Sequence, residues 1–293
     1  MKAKWLVELD LFLDTEVRLL ESLKKHNIEH KVLKYIPFDD DFVLRCRNKF
    51  NEKDCVVFYG SLNFARKLRG NVPWIPGVYG DYKMYECLSY YPAFGDNFLN
   101  NDYIMMPFGD LNRRKEFIYE HYNTTRFFCR PNSGLKEFTG TIVPDWDFDT
   151  LMRTMSFYNV PNSELIVVSS PKTIIREWRF IVINKDICED YENEIITGSL
   201  YRDYTRSKDE VLHELCTDNE VLDYAIQMSK LYKPENAWTL DICQLDTGEL
   251  KVLEIGCFSS AGWYGCDINI IVDRISELAE YEYNLYHENN IDD

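Results

Sequence analysis

Two carboxylates set close enough to require a proton or a cation between them are the strongest chemical signal in this 293-residue sequence. The segments Trp238 to Leu245 and Leu250 to Gly256 read as strands, joined by Asp246-Thr247-Gly248-Glu249. A two-residue Thr-Gly loop pairs Asp246 with Glu249, and a four-residue loop pairs Leu245 with Leu250. Either choice places Asp241 directly opposite Glu254. Side chains alternate along a strand, so both acids share a buried-looking face with Cys243, Leu245, Leu250 and Val252. Like charges directly opposed destabilise a sheet, so one acid must bind a proton or a cation must sit between them. Hard oxygen ligands with room for phosphate suit Mg²⁺. A hairpin whose acidic face is simply wet is the plainer alternative.

Three further segments carry candidate chemistry. In Arg126 to Gly140 a strand delivers Arg130, and a Gly-containing loop carries Lys136 before the next strand. Exposed amides and cations in a tight turn are what a phosphate chain requires. The Walker spacing is absent, and an ordinary turn is the competing reading. In Ile174 to Ile183, Glu177 and Arg179 lie on the face continued by Ile181 and Ile183, while Trp178, Phe180 and Val182 line the other. Both faces turn apolar, which predicts a central strand whose charged pair is matched internally or engages a ligand. Gly256 to Gly265, with Ser259 and Ser260, suits either close approach to a ligand or a tight connection into the last helix.

The elements that must position these residues fall into three segments. Residues 1–110 read as a small α/β domain. Trp5, Val7, Leu9 and Leu11 alternate as a strand, Asp14 or Thr15 caps a helix using Val17, Leu20 and Leu23, and Cys55 to Tyr59 forms another strand. The stretch 71–80 reads as a loop. Residues 111–172 hold a helix near 111–122, strands at 125–130, 138–143 and 164–169, and a helix near 147–158. Residues 173–293 hold strands 174–183 and 194–201, helices near 208–216 and 219–232, the acidic hairpin, and a helix from about 267 to 285. Hairpin-joined strands alternating with helices predict α+β packing there, behind an α/β N-terminal domain.

Composition removes several function classes. With 33 Lys+Arg against 49 Asp+Glu the formal charge is −16, a poor basis for binding nucleic acid or an anionic membrane. The 45% hydrophobic and 15% aromatic content excludes a disordered acidic chain. No stretch has the roughly 20 apolar residues of a membrane span, and Glu8 and Asp10 interrupt any signal-peptide pattern. Nine scattered cysteines without a Cys-x-x-Cys pair predict reduced thiols and a cytoplasmic setting. His26 and His30 lack a third ligand. The acidic runs Asp39–Asp41 and Asp186–Glu194 and the tail Asp292-Asp293 read as solvated surface.

Taken in order, these segments resemble the ATP-grasp superfamily, and within it the phage- and bacteria-associated clade with two arginines and a lysine in the nucleotide site. The resemblance covers roughly residues 110–275. It implies an ATP-grasp fold with nucleotide bound between two α+β subdomains, 111–172 and 173–293. Arg130 and Lys136 match the phosphate-binding strand and loop. Ile166 to Lys172 matches the hinge that holds adenine with backbone groups, through Val168, Ser169 and Lys172. Glu177-Trp178-Arg179 matches the Glu-aromatic-Arg signature, and Asp241 and Glu254 the paired Mg²⁺ ligands. Two departures stand out: Gly256 replaces the Asn usual two residues after the last metal Glu, and Ser169 or Ser170 replaces the hinge Glu.

The resemblance implies ATP-dependent ligation of a carboxylate to an amine through an acyl phosphate, with ATP and Mg²⁺ as cofactors. Arg130, Lys136 and Arg179 would converge on one cleft, Glu177 would orient Arg179 or touch nucleotide, and Arg202, Ser259 and Ser260 are weaker substrate candidates. The net charge of −16 favours a cationic amine partner. A kinase-like enzyme of the same fold and an acidic viral interaction protein that has lost turnover are the rivals. The setting would be a cytoplasm, the host's if the protein is viral.

Overall fold

A computed structural model of the chain describes residues 1–11, 13–39, 41–135, 137–157, 159–185, 192–206 and 210–289. Lys136, most of the acidic run 186–194 and the tail Asp292-Asp293 lie outside the described residues. The chain divides into two compact units: residues 1–81, 176–242 and 254–293 form one, and residues 82–175 and 243–253 the other. The three-segment division at 110 and 172 remains a proposal about functional domains.

The first unit opens with a parallel sheet of order β2-β1-β3-β4, formed by β1 (Lys4–Glu8), β2 (His30–Leu33), β3 (Cys55–Tyr59) and β4 (Ile75–Gly77). All five residues of β3 are buried, and so are Trp5 to Glu8. A strand covered on both faces reads as a continuous apolar run, so the alternation expected through Leu9 and Leu11 stops at Glu8, with Leu11 exposed. β4 falls within the stretch expected to be a loop. Helix α1 (Leu13–Lys25) buries Leu19 and Leu23 and leaves Val17 exposed. The helix thus sits rotated from the face expected, and Asp14 and Thr15 lie inside its first turn. Helices α2 (Phe42–Arg47) and α3 (Leu62–Leu68) follow, with Ser61 Oγ accepting Phe64 N–H at 3.2 Å to cap α3.

The second unit is built on an antiparallel sheet of order β5-β8-β6-β7, with β5 (Ile104–Pro107), β6 (Arg126–Pro131), β7 (Thr141–Pro144) and β8 (Leu165–Ser169). Helices α4 (Cys87–Phe94), α5 (Leu111–Tyr122) and α6 (Phe148–Phe157) belong to it. Its core gathers Leu111, Ile118, Phe127, Cys129, Phe148 and Ile166. Asn132, just past β6, takes the place of a missing N-cap side chain on α4: its Oδ1 accepts Leu88 N–H at 2.8 Å.

After β8 the chain returns to the first unit as β9 (Ile174–Lys185) and β10 (Glu192–Asp203), in a sheet of order β11-β10-β9-β12-β13. β9 is interior to that sheet, as its two apolar faces predict. β11 is Glu214–Leu215, where a helix near 208–216 was expected; its backbone pairs with Ser199 and Leu200 of β10. Helix α7 (Asn219–Ser229) precedes the hairpin β12 (Ala237–Leu245) and β13 (Leu250–Cys257), and α8 (Ile268–Asn289) closes the chain. Ile181 and Ile183 of β9 share a core with Trp5, Leu19, Trp263 and Val272, and Trp5 Nε1 donates to Ser276 Oγ of α8 at 3.0 Å. Among the described residues no helix is long and apolar enough to cross a membrane, and the cysteines are free thiols.

Candidate active site

Strand β12 brings Asp241 beside β9, and the cation that the opposed acids require is Arg179. Its Nε donates to Asp241 Oδ1 at 2.8 Å and its Nη2 to Oδ2 at 2.6 Å, a two-pronged ion pair. The same Nη2 lies 3.8 Å from Glu254 Oε1, so both acids face one guanidinium. Nη1 donates to the Gly262 carbonyl at 3.0 Å. Asp241 is 1% exposed and Arg179 9%. Burial disfavours the arginine's charge, yet its neighbours, Asp241 foremost with Tyr264 and Tyr201, together hold the guanidinium well above its ordinary pKa.

Two tyrosines frame this pair. Tyr201 and Tyr264 stack at 4.5 Å with planes 10° apart, and the guanidinium carbon lies 5.6 and 5.1 Å from their centroids. Tyr201 reaches the site through a β-bulge: Trp178 pairs with Leu200 and Glu177 with Arg202, leaving Tyr201 as the extra residue. Bulges re-aim side chains in this way. Its hydroxyl donates to Glu177 Oε2 at 2.7 Å and lies 3.4 Å from Asp241 Oδ2, while Tyr204 donates to Glu177 Oε1 at 2.6 Å. Glu177 is therefore held by two phenols, and Arg179 takes its carboxylate from β12. Burial, then Asp241 and Glu177, push the Tyr201 phenol well up, so it stays a donor. Nearby, Thr205, Arg206 and Arg176 overcome burial and hold the Asp203 carboxyl at about 2.

The hairpin turn differs from both loops expected. Gly248 N–H donates to Leu245 O and Leu245 N–H to Glu249 O, both at 2.9 Å, which encloses three residues. Gly248 has φ +89°, the left-handed geometry such a turn demands. Further along, Thr239 Oγ1 donates to the Gly256 carbonyl at 3.2 Å. A Cβ on residue 256 would meet that hydroxyl at 2.8 Å, which accounts locally for glycine there. Gly256→Asn should therefore lower stability by about 1–3 kcal/mol through overpacking. Thr239→Ala in the same chain should recover most of the loss. Equal denaturant midpoints for Gly256→Asn and the parent would show that no such crowding exists.

The remaining candidates are held as follows. Ser259 is fully buried and structural in its bonds: Oγ accepts Tyr79 N–H at 2.9 Å and its carbonyl accepts Gly60 N–H at 2.9 Å. Ser260 Oγ lies 2.6 Å from Cys257 Sγ. Arg202 is half-buried on β10, in register with Glu177.

In the second unit Arg130 is 8% exposed, and its guanidinium donates to Tyr90 Oη and the Pro131 carbonyl, each at 3.4 Å. Val168 and Ser169 are fully buried; the Val168 carbonyl accepts Tyr122 O–H at 3.0 Å, and Ser169 Oγ donates to Asn100 Oδ1 at 3.0 Å. Lys172 Nζ is tied to Asp102 Oδ1 at 2.5 Å and Ser170 Oγ at 2.7 Å. Sequence reasoning missed Tyr201, Tyr204, Tyr264, Tyr90, Asn100 and Asp102. The run Tyr201-Arg202-Asp203-Tyr204, polar at the end of a strand, is the signal by which the first two could have been found.

The sequence matches the family described as ATP-grasp domain, R2K clade family 2, over residues 98–273. That span contains every site residue named from the sequence, from Arg130 to Ser260. The uncharacterized protein R651 of Acanthamoeba polyphaga mimivirus is 28% identical, across 43% of this chain and 31% of its own length. The chain thus spans about a third of that curated relative. Among solved structures, the D-cycloserine synthetase DcsG has a TM-score of 0.59 at 13% identity, covering 94% of this chain and 99% of its own. The ATP-grasp ligase PsnB, complexed with minimal precursor, Mg and ADP, has a TM-score of 0.56 at 12% identity over 94% and 96% of the chains. An N5-carboxyaminoimidazole synthetase from Staphylococcus aureus with ADP scores 0.55 at 10% identity, over 89% and 70%. At such identities the likeness is one of fold, and it bears out the α+β expectation.

Proposed function

Because this chain belongs to the ATP-grasp domain family, R2K clade family 2, we propose that it is an ATP-dependent, ADP-forming carboxylate–amine ligase. The observation that carries the reading is the buried Arg179–Asp241 fork with Glu254 on the same guanidinium. Desolvation on this scale is costly and suits a site that handles charge during phosphoryl transfer.

The donor set fits Mg²⁺ in kind. Asp241 and Glu254 are hard oxygen ligands, Arg179 neutralises one charge, and the Glu254 side chain at 22% exposed is the more open of the two. Two such carboxylates would leave the rest of the metal's shell to phosphate oxygens and water. Bound there, Mg²⁺ would neutralise phosphate charge.

In this reading Arg130 and Lys136 bind the phosphates, and Val168, Ser169 and Lys172 line the adenine side. Arg179 faces the transferring phosphoryl group, and Glu177 with its two phenols orients the strand that presents it. A substrate carboxylate oxygen displaces ADP from the γ-phosphorus. The amine nitrogen then bonds to the acyl carbon, phosphate departs with its electron pair, and the nitrogen loses a proton. The protein's contribution is positioning and neutralisation. Arg202 and Ser260 are the side chains proposed to meet the acyl or amine substrate. The negative net charge favours a cationic amine.

Millimolar Mg-ATP should raise the melting temperature, since a ligand at a hundred times its Kd adds about 2.7 kcal/mol. Glu254→Gln should remove most of the shift. No shift in the unmodified chain would sink the nucleotide assignment. A screen for ADP release against amino acids, peptides and small carboxylates then identifies the reaction. ADP with a new amide supports ligation, and ADP with a stable phosphorylated acceptor points to the kinase-like reaction instead.

A further inference from the structure

Helix α1 reaches the Arg179 site through one side chain. Arg18 Nη1 donates to the Tyr264 carbonyl at 2.6 Å and Nη2 to the Cys266 carbonyl at 2.9 Å. Both carbonyls belong to the short segment that also supplies Gly262 O to Arg179. Tyr264 has φ +48°, a left-handed backbone that a bulky side chain keeps only when its surroundings enforce it. The enforcing contacts are the Arg18 fork on one side and Gly265 N–H on Ser199 Oγ at 2.9 Å on the other. With the backbone so held, the Tyr264 ring lies parallel to Tyr201, 5.1 Å from the Arg179 guanidinium carbon. A planar fork spans two carbonyls; a lysine ammonium, a single point charge, does not.

We infer that Arg18 is a positioning residue for Arg179, acting by locking Tyr264 in its left-handed conformation. Its consequence for catalysis rests on the ligase reading, but the geometry does not. The test is arginine side-chain NMR of the full chain without nucleotide, following the assigned Nε–H of Arg179, which donates to Asp241. In Arg18→Ala this signal should move and its solvent exchange should quicken by about tenfold or more. Arg18→Lys should restore it only in part. The Arg206 Nε–H, bound to Asp203, should stay in place in both variants.

An unchanged Arg179 signal in folded Arg18→Ala overturns the inference, as does an equal disturbance at Arg206, which would mean general loosening. If Arg18→Ala does not fold, Arg18→Lys carries the same test, and a parental Arg179 signal there overturns it. The Mg-ATP melting shift of the parent is measured alongside. Its absence would defeat the nucleotide reading while leaving the NMR result to stand or fall alone.

Discussion

Asp241→Ala is expected to cost the chain about 3–5 kcal/mol of stability, because it strands a buried guanidinium without its counter-charge. Arg179 is 9% exposed and gives Asp241 two of its donors at 2.8 and 2.6 Å. Glu254, with its nearest oxygen 3.8 Å away, is too distant to replace a two-pronged partner. The double variant Asp241→Leu, Arg179→Met should recover most of the loss, since similar apolar volume can substitute for a buried ion pair. It should recover none of the Mg-ATP melting shift. That split is the decisive part: in the proposed function, stability and ligand binding would use the same two residues but need different properties of them. Urea unfolding of the three chains measures it. A single variant within about 1 kcal/mol of the parent would show that water reaches the guanidinium freely.

Trp263→Ala should cost a similar amount, about 3–5 kcal/mol, by opening a cavity in the main core. The indole is fully buried, 4.0 Å from the Tyr59 ring centroid, 5.1 Å from Phe258, and edge-on to Trp5 at 6.5 Å. It lies between Gly262, whose carbonyl receives Arg179, and Tyr264, whose ring stacks on Tyr201. The core and the site therefore share a backbone segment, and the cavity variant should also weaken the Mg-ATP melting shift. Trp263→Phe should lose far less. Its ring fills much of the space, and it removes an indole N–H that finds no partner among the described residues, a group costly to bury. Equal losses for the two variants would mean that cavity volume is not what matters.

The acidic hairpin was legible because a period of two and a short turn leave few registers. Asp241 and Glu254 both reach the Arg179 guanidinium, although the turn encloses three residues rather than two or four, with Gly248 at φ +89°. The interior position of β9 was legible because both its faces turn apolar. The partner of Arg179 was not. Glu177 is two residues away on the same face of the same strand, whereas Asp241 arrives 62 residues later on β12. Spacing ranks the near acid first, but a neighbour on an extended strand projects parallel to Arg179 rather than toward it. Tyr201 was hidden for a related reason: the bulge between Leu200 and Arg202 breaks the alternation by which a strand is read.

Local patterns carried the type of most elements and singled out Arg179, Asp241 and Glu254 as chemistry-bearing residues, because these follow from side-chain periodicity and residue chemistry alone. Tertiary structure decided which cation meets which acid, why β11 rather than a helix lies at Glu214–Leu215, and how α1 is turned, with Leu19 inward and Val17 outward. Those outcomes depend on groups distant in sequence competing for the same neighbours. Burial makes an unmatched charge too costly to leave, so Arg179 takes the carboxylate that packing brings within reach, and no single segment contains that choice.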